Sequence, residues 1–173
     1  MISLDVPIAL RTRALAVSSL KRNAALPLPA PGAPDPAAAD NRQFGDVLRD
    51  FNALPQWHPG IADSRIEMNE PSDRVGCIRH FHTRDGGMIR ERLLALSDYD
   101  FACTYEILES PMGVDNYIAT LKLTPVTDGA RCFAEWSAEF DCLEGREREL
   151  TETIGNGVFQ AGFDALKRHF GRR

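Results

Sequence analysis

The sequence lacks any hydrophobic run long enough to cross a membrane. No uninterrupted apolar stretch in its 173 residues approaches the ~20 residues that a transmembrane helix requires. The N-terminal region carries scattered charges, and it lacks the apolar segment and small-residue cleavage site of a secretory signal. We therefore expect no transmembrane segment and a cytoplasmic location.

Cysteine is also scarce, and its spacing argues against two kinds of site. The sequence has four cysteines, at Cys77, Cys103, Cys132 and Cys142. None of them forms a C-x-x-C pair, whereas disulfide frameworks and structural zinc sites need closer spacing. His80 and His82 share one face of a strand pattern without a third ligand, so we expect them to be solvated. We expect no metal and no cofactor.

The chain has no basic excess, and several catalytic motifs are missing. Its 20 Lys and Arg residues are outnumbered by 25 Asp and Glu residues, which gives a formal charge of −5. Nucleic-acid binding normally requires a basic face, so we expect none. The sequence contains no G-x-S-x-G, H-E-x-x-H or P-loop motif. The glycines at Gly155 and Gly157 do not complete a dinucleotide-binding pattern.

What the chain does contain is the composition of a globular domain, with 43% hydrophobic and 26% charged residues. Residues 26–40 read LPLPAPGAPDPAAAD, a proline- and alanine-rich text that is typical of an extended linker. We therefore divide the chain into an N-terminal extension of residues 1–43 and a domain of residues 44–173. Within the extension, Ala14–Leu20 could form a strand.

Most of the domain has the period-two alternation of β-strands. We predict six strands, at Ser64–Met68, Val75–Thr83, Met88–Ser97, Phe101–Leu108, Tyr117–Val126 and Arg131–Asp141. The breaks between them are short and contain turn residues such as Asp85-Gly86-Gly87. Because such gaps cannot accommodate crossover helices, the sheet must be antiparallel.

Segments with helical spacing precede and follow these strands in the sequence. A short helix is predicted to begin at Asp40, with Phe44 as the first residue of its buried face, and to bend before Trp57 and His58, which lie between two prolines. A long helix is predicted from Arg148 to Phe170, with acidic residues at its start and basic residues at its end. The class is therefore α+β, with one long helix across an antiparallel sheet and space for an apolar cavity between them.

Alternation also predicts which side chains face that cavity. On the Met88–Ser97 strand we assign Ile89, Glu91, Leu93 and Ala95 to the inner face, because the other face carries two arginines. A carboxylate placed inside must be hydrogen-bonded, paired or protonated. Glu91 is therefore either a functional group of the cavity or the partner of a neighbouring arginine such as Arg79, and we weigh these two alternatives evenly.

Several segments resemble one known superfamily. They are DFNALPQWHPGIADS at Asp50–Ser64, VGCIR at Val75–Arg79, RERLLALSD at Arg90–Asp98, ILESP at Ile107–Pro111, and TIGNGVFQAG at Thr153–Gly162. Together they resemble the SRPBCC (START-like, Bet v 1-like) superfamily, and within it the bacterial polyketide cyclase/dehydrase and lipid transport proteins. The resemblance implies a helix-grip fold, in which a seven-stranded antiparallel sheet wraps around a long C-terminal helix. The seventh strand would then be Ala14–Leu20.

The plant abscisic-acid receptors are a more distant resemblance, and their pattern implies a gate loop at Thr83–Gly87 and a latch loop at Ser110–Val114. Pro59 stands where those receptors have the lysine that binds the carboxylate of the hormone, so we do not expect an acidic ligand of that kind. From alternation and resemblance together, the residues expected to bind a ligand are Ile61, Arg79, Phe81, Ile89, Glu91, Phe101, Tyr105, Met112, Tyr117, Trp136, Ile154, Val158 and Gly162.

Two functional hypotheses remain open at this point. In the first, the protein binds a small hydrophobic molecule such as a lipid or polyketide, and Glu91 and Tyr117 orient a hydroxyl or carbonyl. In the second, it is a cyclase/dehydratase-type enzyme in which Glu91 transfers a proton and Tyr117 stabilises an enolate oxygen. A carboxylate and a phenol without a histidine are few catalytic groups, so we favour binding. The sequence leaves the oligomeric state undetermined.

Overall fold

Seven antiparallel strands form one sheet in the computed structural model, which describes residues 11–19, 49–126 and 131–170. Their spatial order is β1-β7-β6-β5-β4-β3-β2. The strands are β1 (Arg11–Ser19), β2 (Ile61–Ile66), β3 (Ile78–Thr83), β4 (Met88–Ser97), β5 (Ala102–Glu109), β6 (Val114–Val126) and β7 (Arg131–Leu143). The predicted α+β class and the antiparallel sheet are confirmed.

The alternation of apolar and polar residues along β7 explains why this segment forms a strand with one buried face. Ala134, Trp136, Ala138 and Phe140 are almost fully buried, and the intervening Glu139 is exposed. Since successive side chains of a strand point to opposite faces, this spacing places the apolar set against the C-terminal helix and the carboxylate in solvent. On β6, Tyr117 and Leu121 are buried for the same reason.

The first strand lies at the edge of the sheet, beside the last one. β1 pairs with β7 in a continuous register from Arg11 opposite Leu143 to Ser19 opposite Glu135. It begins three residues before the predicted Ala14, and it belongs to the same sheet as the strands that follow the linker. Leu20, the linker at residues 26–40, and the predicted helical residues Phe44, Val47 and Leu48 lie outside the described residues.

One predicted side-chain orientation and the predicted start of β3 are wrong. Ala95 was expected to face inward, but a bulge between Leu93 and Ala95 shifts the register with β5 and leaves Ala95 exposed. Leu96 packs against the core in its place. Val75 was expected inside a strand, but β3 begins only at Ile78 and Val75 is 56% exposed. Both errors arise where the chain departs from a regular strand. Alternation assumes a regular strand and does not reveal such a departure.

The helices cover one face of the sheet. The short α1 (Leu54–Trp57) has a proline in its first turn, which fits a position whose backbone N–H needs no partner. The C-terminal helix is continuous but has three parts, α2 (Glu147–Glu152), a π-helical segment (Thr153–Phe159) and α3 (Gln160–Phe170). Within the described ranges, no helix is both long and apolar enough to cross a membrane.

The C-terminal helix packs on the sheet mainly through aromatic side chains. Phe159 is fully buried and stacks on Trp136, with ring centroids 4.5 Å apart and planes 11° apart. Trp136 also contacts Phe163 edge-on and Trp57 of α1 at a tilt. Aromatic pairs in such geometries stabilise a core beyond the area that they bury. The helix is therefore fixed to β7 along its C-terminal half.

Two glycines of this helix give a matched test of the packing. A Cβ at Gly162 would lie 2.9 Å from Trp136 and 3.0 Å from His58, whereas a Cβ at Gly157 would meet nothing within 4 Å. We expect Gly162→Ala to lower the free energy of unfolding by about 1–3 kcal/mol through overpacking. Gly157→Ala should leave it unchanged or raise it by up to about 1 kcal/mol, because alanine favours helix. Urea denaturation measures both, and equal effects would contradict this packing.

Candidate ligand-binding site

A cavity of about 730 Å³ lies between the sheet and the C-terminal helix. Its volume is within the ~300–1,000 Å³ of typical small-molecule pockets. The strands contribute Ile61, Arg79, Phe81, Thr83, Ile89, Glu91, Tyr105, Ile107, Tyr117 and Trp136. The loops and helices contribute Leu54, His58, Gly60, Arg84, Asp85, Gly86, Gly87, Pro111, Met112, Thr153, Ile154, Gly157, Val158 and Phe159. Most of this surface is apolar, and its polar groups are described below.

Of the thirteen predicted site residues, eleven line this cavity, and Phe101 and Gly162 do not. Phe101 lies in the β4–β5 turn with a positive φ of 48°, and its half-buried ring packs against the core outside the cavity. Gly162 faces Trp136 and His58 too closely to leave space for a ligand. The expectation that these two residues line the cavity is therefore wrong.

Thirteen lining residues are not among the predicted site residues. Six of them belong to the predicted gate and latch loops, and the others are Leu54, His58, Gly60, Ile107, Thr153, Gly157 and Phe159. Helical spacing divides the apolar residues of the C-terminal helix into two lines, one containing Ile154 and Val158 and a bulkier one containing Phe159. The π-helical segment from Thr153 to Phe159 winds more slowly than an α-helix, so residues of both lines face the cavity. The two glycines in TIGNGVF, Gly155 and Gly157, were the signal of an irregular helix in this segment.

The polar centre of the cavity wall is an ion pair between two neighbouring strands. Arg79 of β3 and Glu91 of β4 are directly opposite in the register, and each is only 5% exposed. Arg79 Nε donates to Glu91 Oε2 at 2.7 Å, and the Nη2 atom lies 2.5 Å from the same oxygen. Two donors on one oxygen at such distances are typical of a charge-assisted contact. Both contacts leave Oε1 of Glu91 uninvolved.

The remaining surroundings of Arg79 are a carbonyl and three aromatic rings. Its Nη1 atom donates to the backbone oxygen of Phe51 at 2.6 Å. The guanidinium carbon lies 3.8 Å from the ring centroid of Phe51, and the rings of Phe81 and Tyr105 lie within 5.5 Å. Cation–π contacts of this kind stabilise a guanidinium away from water. The pairing of Glu91 with Arg79, one of the two alternatives, is therefore what the structure contains.

Burial changes the acidity of the groups around this pair. Desolvation raises the pKa of Glu91, and the adjacent Arg79 opposes that rise. Desolvation, followed by the negative charge of Glu91, raises the pKa of the Tyr117 phenol far above its ordinary value. Burial also raises the pKa of Tyr105. The two tyrosines are therefore neutral hydrogen-bonding groups at any physiological pH.

A hydrogen-bond chain connects the tyrosines to the aromatic core. Trp136 Nε1 donates to the Tyr105 hydroxyl at 3.0 Å, and the side chains of Tyr105 and Tyr117 are hydrogen-bonded to each other. An indole N–H can only donate, so Tyr105 accepts from Trp136 and its own O–H is available for Tyr117. The Tyr117 hydroxyl then has its proton available for a group in the cavity.

His58 connects α1 to the π-helical segment at another part of the wall. Its Nδ1 atom accepts from the backbone N–H of Gly60, and its Nε2 atom lies 3.1 Å from the backbone oxygen of Val158. Since Nδ1 accepts, Nε2 must carry the proton and donate, which assigns the neutral ring. Desolvation lowers the pKa of this 5% exposed side chain. His58 thus connects two elements of the fold and also lines the cavity.

The two predicted loops lie at the mouth of the cavity. In the gate loop, the Thr83 hydroxyl donates to the backbone oxygen of Gly87, and Arg84 Nε donates to the backbone oxygen of Pro59. In the latch loop, Met112 contributes its side chain to the lining. Its backbone oxygen accepts from Arg146, which begins the C-terminal helix. The loops are thus connected to the helical side of the mouth.

The histidines and cysteines outside the cavity have other partners. Arg65 donates to Nδ1 of His80, and Nδ1 of His82 lies 2.9 Å from Asp63, on the outer side of the sheet. Among the residues that the structure describes, no group of His, Cys, Asp and Glu is arranged to bind a metal ion. Cys77, Cys103 and Cys142 are buried, and the side chain of Cys132 lies outside the described part.

Comparisons with known proteins agree with this architecture. The family described as "Polyketide cyclase / dehydrase and lipid transport" matches residues 38–171. A search among curated proteins gives no significant match. The protein XoxI from Bacillus cereus is 26% identical over 92% of this chain and 94% of its own, with a TM-score of 0.66. A solution structure from Thermobifida fusca is 27% identical over 94% and 93%, with a TM-score of 0.67.

A plant protein has the same fold at much lower identity. Ginseng major latex-like protein 151 from Panax ginseng is 13% identical over 93% of this chain and 98% of its own, with a TM-score of 0.64. At that identity the likeness concerns the fold alone. The predicted superfamily and helix-grip fold are confirmed by the family match and by these structures together.

The neutral His58 should make stability depend on pH. Because its folded-state pKa is lowered, the unfolded chain binds a proton first as the pH falls below the ordinary value of about 6.5. The contribution of His58 is therefore complete above that pH and decreases below it. When the pH falls from 7.5 to 5, we expect the free energy of unfolding of the wild type to decrease by on the order of 1 kcal/mol more than that of His58→Gln. Urea denaturation at both pH values measures this difference. Parallel losses in both proteins would contradict the neutral assignment.

The buried ion pair should show strong coupling between its partners. Arg79→Met leaves the Glu91 carboxylate buried without its partner, and we expect a loss of about 3–5 kcal/mol in the free energy of unfolding. The double variant Arg79→Met, Glu91→Leu should lose less than the single variant, since no charge then remains buried. The exposed pair of Arg92 and Glu106 is the control, and Arg92→Met should cost at most about 1 kcal/mol. Additive losses at the buried pair would contradict the coupling.

Proposed function

Because the chain belongs to the polyketide cyclase / dehydrase and lipid transport family, we propose that it binds a small hydrophobic molecule in the cavity between the sheet and the C-terminal helix. The observation that carries this proposal is the size and lining of the cavity, about 730 Å³ bounded mostly by apolar side chains. Burial of apolar ligand surface against such a lining is the main source of affinity. Lipids and polyketides are the classes of molecule that we propose.

The polar groups of the wall are positioned to orient such a molecule. Glu91 has an oxygen outside the ion pair, and the Tyr117 hydroxyl has a proton available once Tyr105 donates to it. Both residues line the cavity. A ligand hydroxyl or carbonyl placed beside them would satisfy these groups, and the rest of the molecule would contact apolar side chains. The ligand would then bind in one orientation.

A cyclase/dehydratase-type reaction is the second candidate, favoured by the desolvated carboxyl of Glu91 in the cavity. In that reaction Glu91 would take a proton from a carbon next to a substrate carbonyl, and Tyr117 would donate to the enolate oxygen. The direct contact with Arg79 supports binding over this alternative, because a carboxylate paired with a guanidinium is a weaker base. Glu91→Gln separates the two, since it would abolish turnover by removing the base while leaving a hydrogen-bonding amide in the binding site.

The first experiment is mass spectrometry of the purified protein under native and then denaturing conditions. We expect a defined small molecule that is present in the native spectrum of the wild type and is released on denaturation. Val158→Trp places an indole in the cavity and should remove that molecule. Val75→Trp is the matched control, because Val75 is exposed and lies outside the cavity, and it should retain it.

A fluorescent probe tests the cavity when no molecule co-purifies. N-Phenyl-1-naphthylamine is uncharged and becomes fluorescent in apolar surroundings, and we expect saturable binding to the wild type. Its affinity should fall at least ~10-fold in Val158→Trp and stay within about twofold in Val75→Trp, since only the former fills the cavity. Equal binding by both variants, or none by the wild type, would contradict the proposal that the cavity binds ligands.

A further inference from the structure

The charges of the cavity wall bear on the class of ligand. Resting on the proposed function, we infer that the cavity selects an uncharged ligand with a hydroxyl at its polar end. Carboxylates and amines of the same size are rejected. It depends on how Arg79 and Glu91 use their hydrogen-bonding atoms and on which other charges line the cavity.

Arg79 is already committed to groups of the protein. Each of its three nitrogens contacts an acceptor, since Nε and Nη2 contact Glu91 and Nη1 donates to the backbone of Phe51. Three aromatic rings surround the guanidinium. A bidentate contact with a ligand carboxylate would require Arg79 to leave Glu91, and a buried unpaired carboxylate is costly. Arg79 is therefore not available to bind a ligand carboxylate.

Glu91 sets the second part of the selection. Its Oε2 atom accepts both contacts from Arg79, and its Oε1 atom remains for a ligand. A ligand carboxylate beside Oε1 would face a like charge without water to screen it. A ligand ammonium would contact Oε1 but would lie close to the guanidinium and would lose its hydration. An uncharged hydrogen-bond donor avoids both the charge repulsion and the loss of ionic hydration.

The rest of the lining carries no net charge either. Besides Arg79 and Glu91, the charged lining residues among those described are Arg84 and Asp85, one of each sign, and both are exposed in the gate loop. His58 lines the cavity as a neutral ring with both nitrogens occupied. No charged group of this lining is thus left over to compensate a charge that enters with the ligand.

A hydroxyl matches the two groups that remain. It can donate to Oε1 of Glu91 and accept from the Tyr117 O–H, whose orientation is fixed through Tyr105 and Trp136. Glu91 and Tyr117 both line the cavity. One atom of the ligand would therefore satisfy a buried acceptor and a buried donor at the same time, which is the arrangement that gives strong discrimination.

A matched set of fluorescent probes tests this selection. 1-Pyrenebutanol, 1-pyrenebutanoic acid and 1-pyrenebutylamine share one ring system and chain, and at pH 7.5 they are neutral, anionic and cationic. Fluorescence titration of the wild type should give a Kd for the alcohol at least ~10-fold lower than for the acid or the amine. An acid or amine that binds as tightly as the alcohol would overturn the inference and leave the proposed function intact.

Charge variants test the physical reason. Glu91→Gln leaves the charge of Arg79 uncompensated, so the ratio of acid to alcohol affinity should rise at least ~10-fold. Glu106→Gln removes a carboxylate from the exposed pair with Arg92, outside the cavity, and should retain the wild-type order. An unchanged order in Glu91→Gln would overturn the inference. The three wild-type affinities decide the matter alone if Glu91→Gln does not fold.

Failure of the proposed function gives a different result. All three probes would then bind the wild type no better than Val158→Trp, in which the cavity is filled. That result would overturn both proposals, whereas a wrong order of affinities in a wild type that does bind would overturn only the charge selection.

Discussion

The ion pair of Arg79 and Glu91 is the interaction on which the rest of this cavity depends. It connects two central residues of neighbouring strands, and through the carbonyl of Phe51 it connects the sheet to the segment that precedes α1. Burying two charges costs free energy that short contacts and aromatic surroundings offset. Because both partners are committed to each other, the cavity contains a polar group without containing a net charge.

The second constraint is the attachment of the C-terminal helix around an open space. Aromatic stacking of Phe159 on Trp136 fixes the helix to β7, and the bond from His58 to the carbonyl of Val158 fixes it to α1. The π-helical segment, whose last two residues make these contacts, changes the phase of the helix, and Gly157 borders open space instead of packing. The helix is thereby attached to both the sheet and α1 beside the cavity.

Much of the fold and site followed from pattern alone. Alternation placed Glu91 inside and assigned Tyr117 and Trp136 to the inner face, and all three line the cavity. The prediction failed at irregular places. Ala95 follows a bulge, and Phe159 lies in a π-helical segment, so the phase of each element changes there. Alternation assumes a constant period, which these two features interrupt.

By itself, the sequence determined the number and order of the strands after the linker, their antiparallel sense and the apolar inner face, because periodicity and turn residues are local properties. Only the tertiary structure decided that β1 pairs with β7 across more than a hundred intervening residues. It also decided that Glu91 pairs with Arg79, which the sequence left open. Both depend on which strands become neighbours and in what register, and a register between distant segments is set by the packed core.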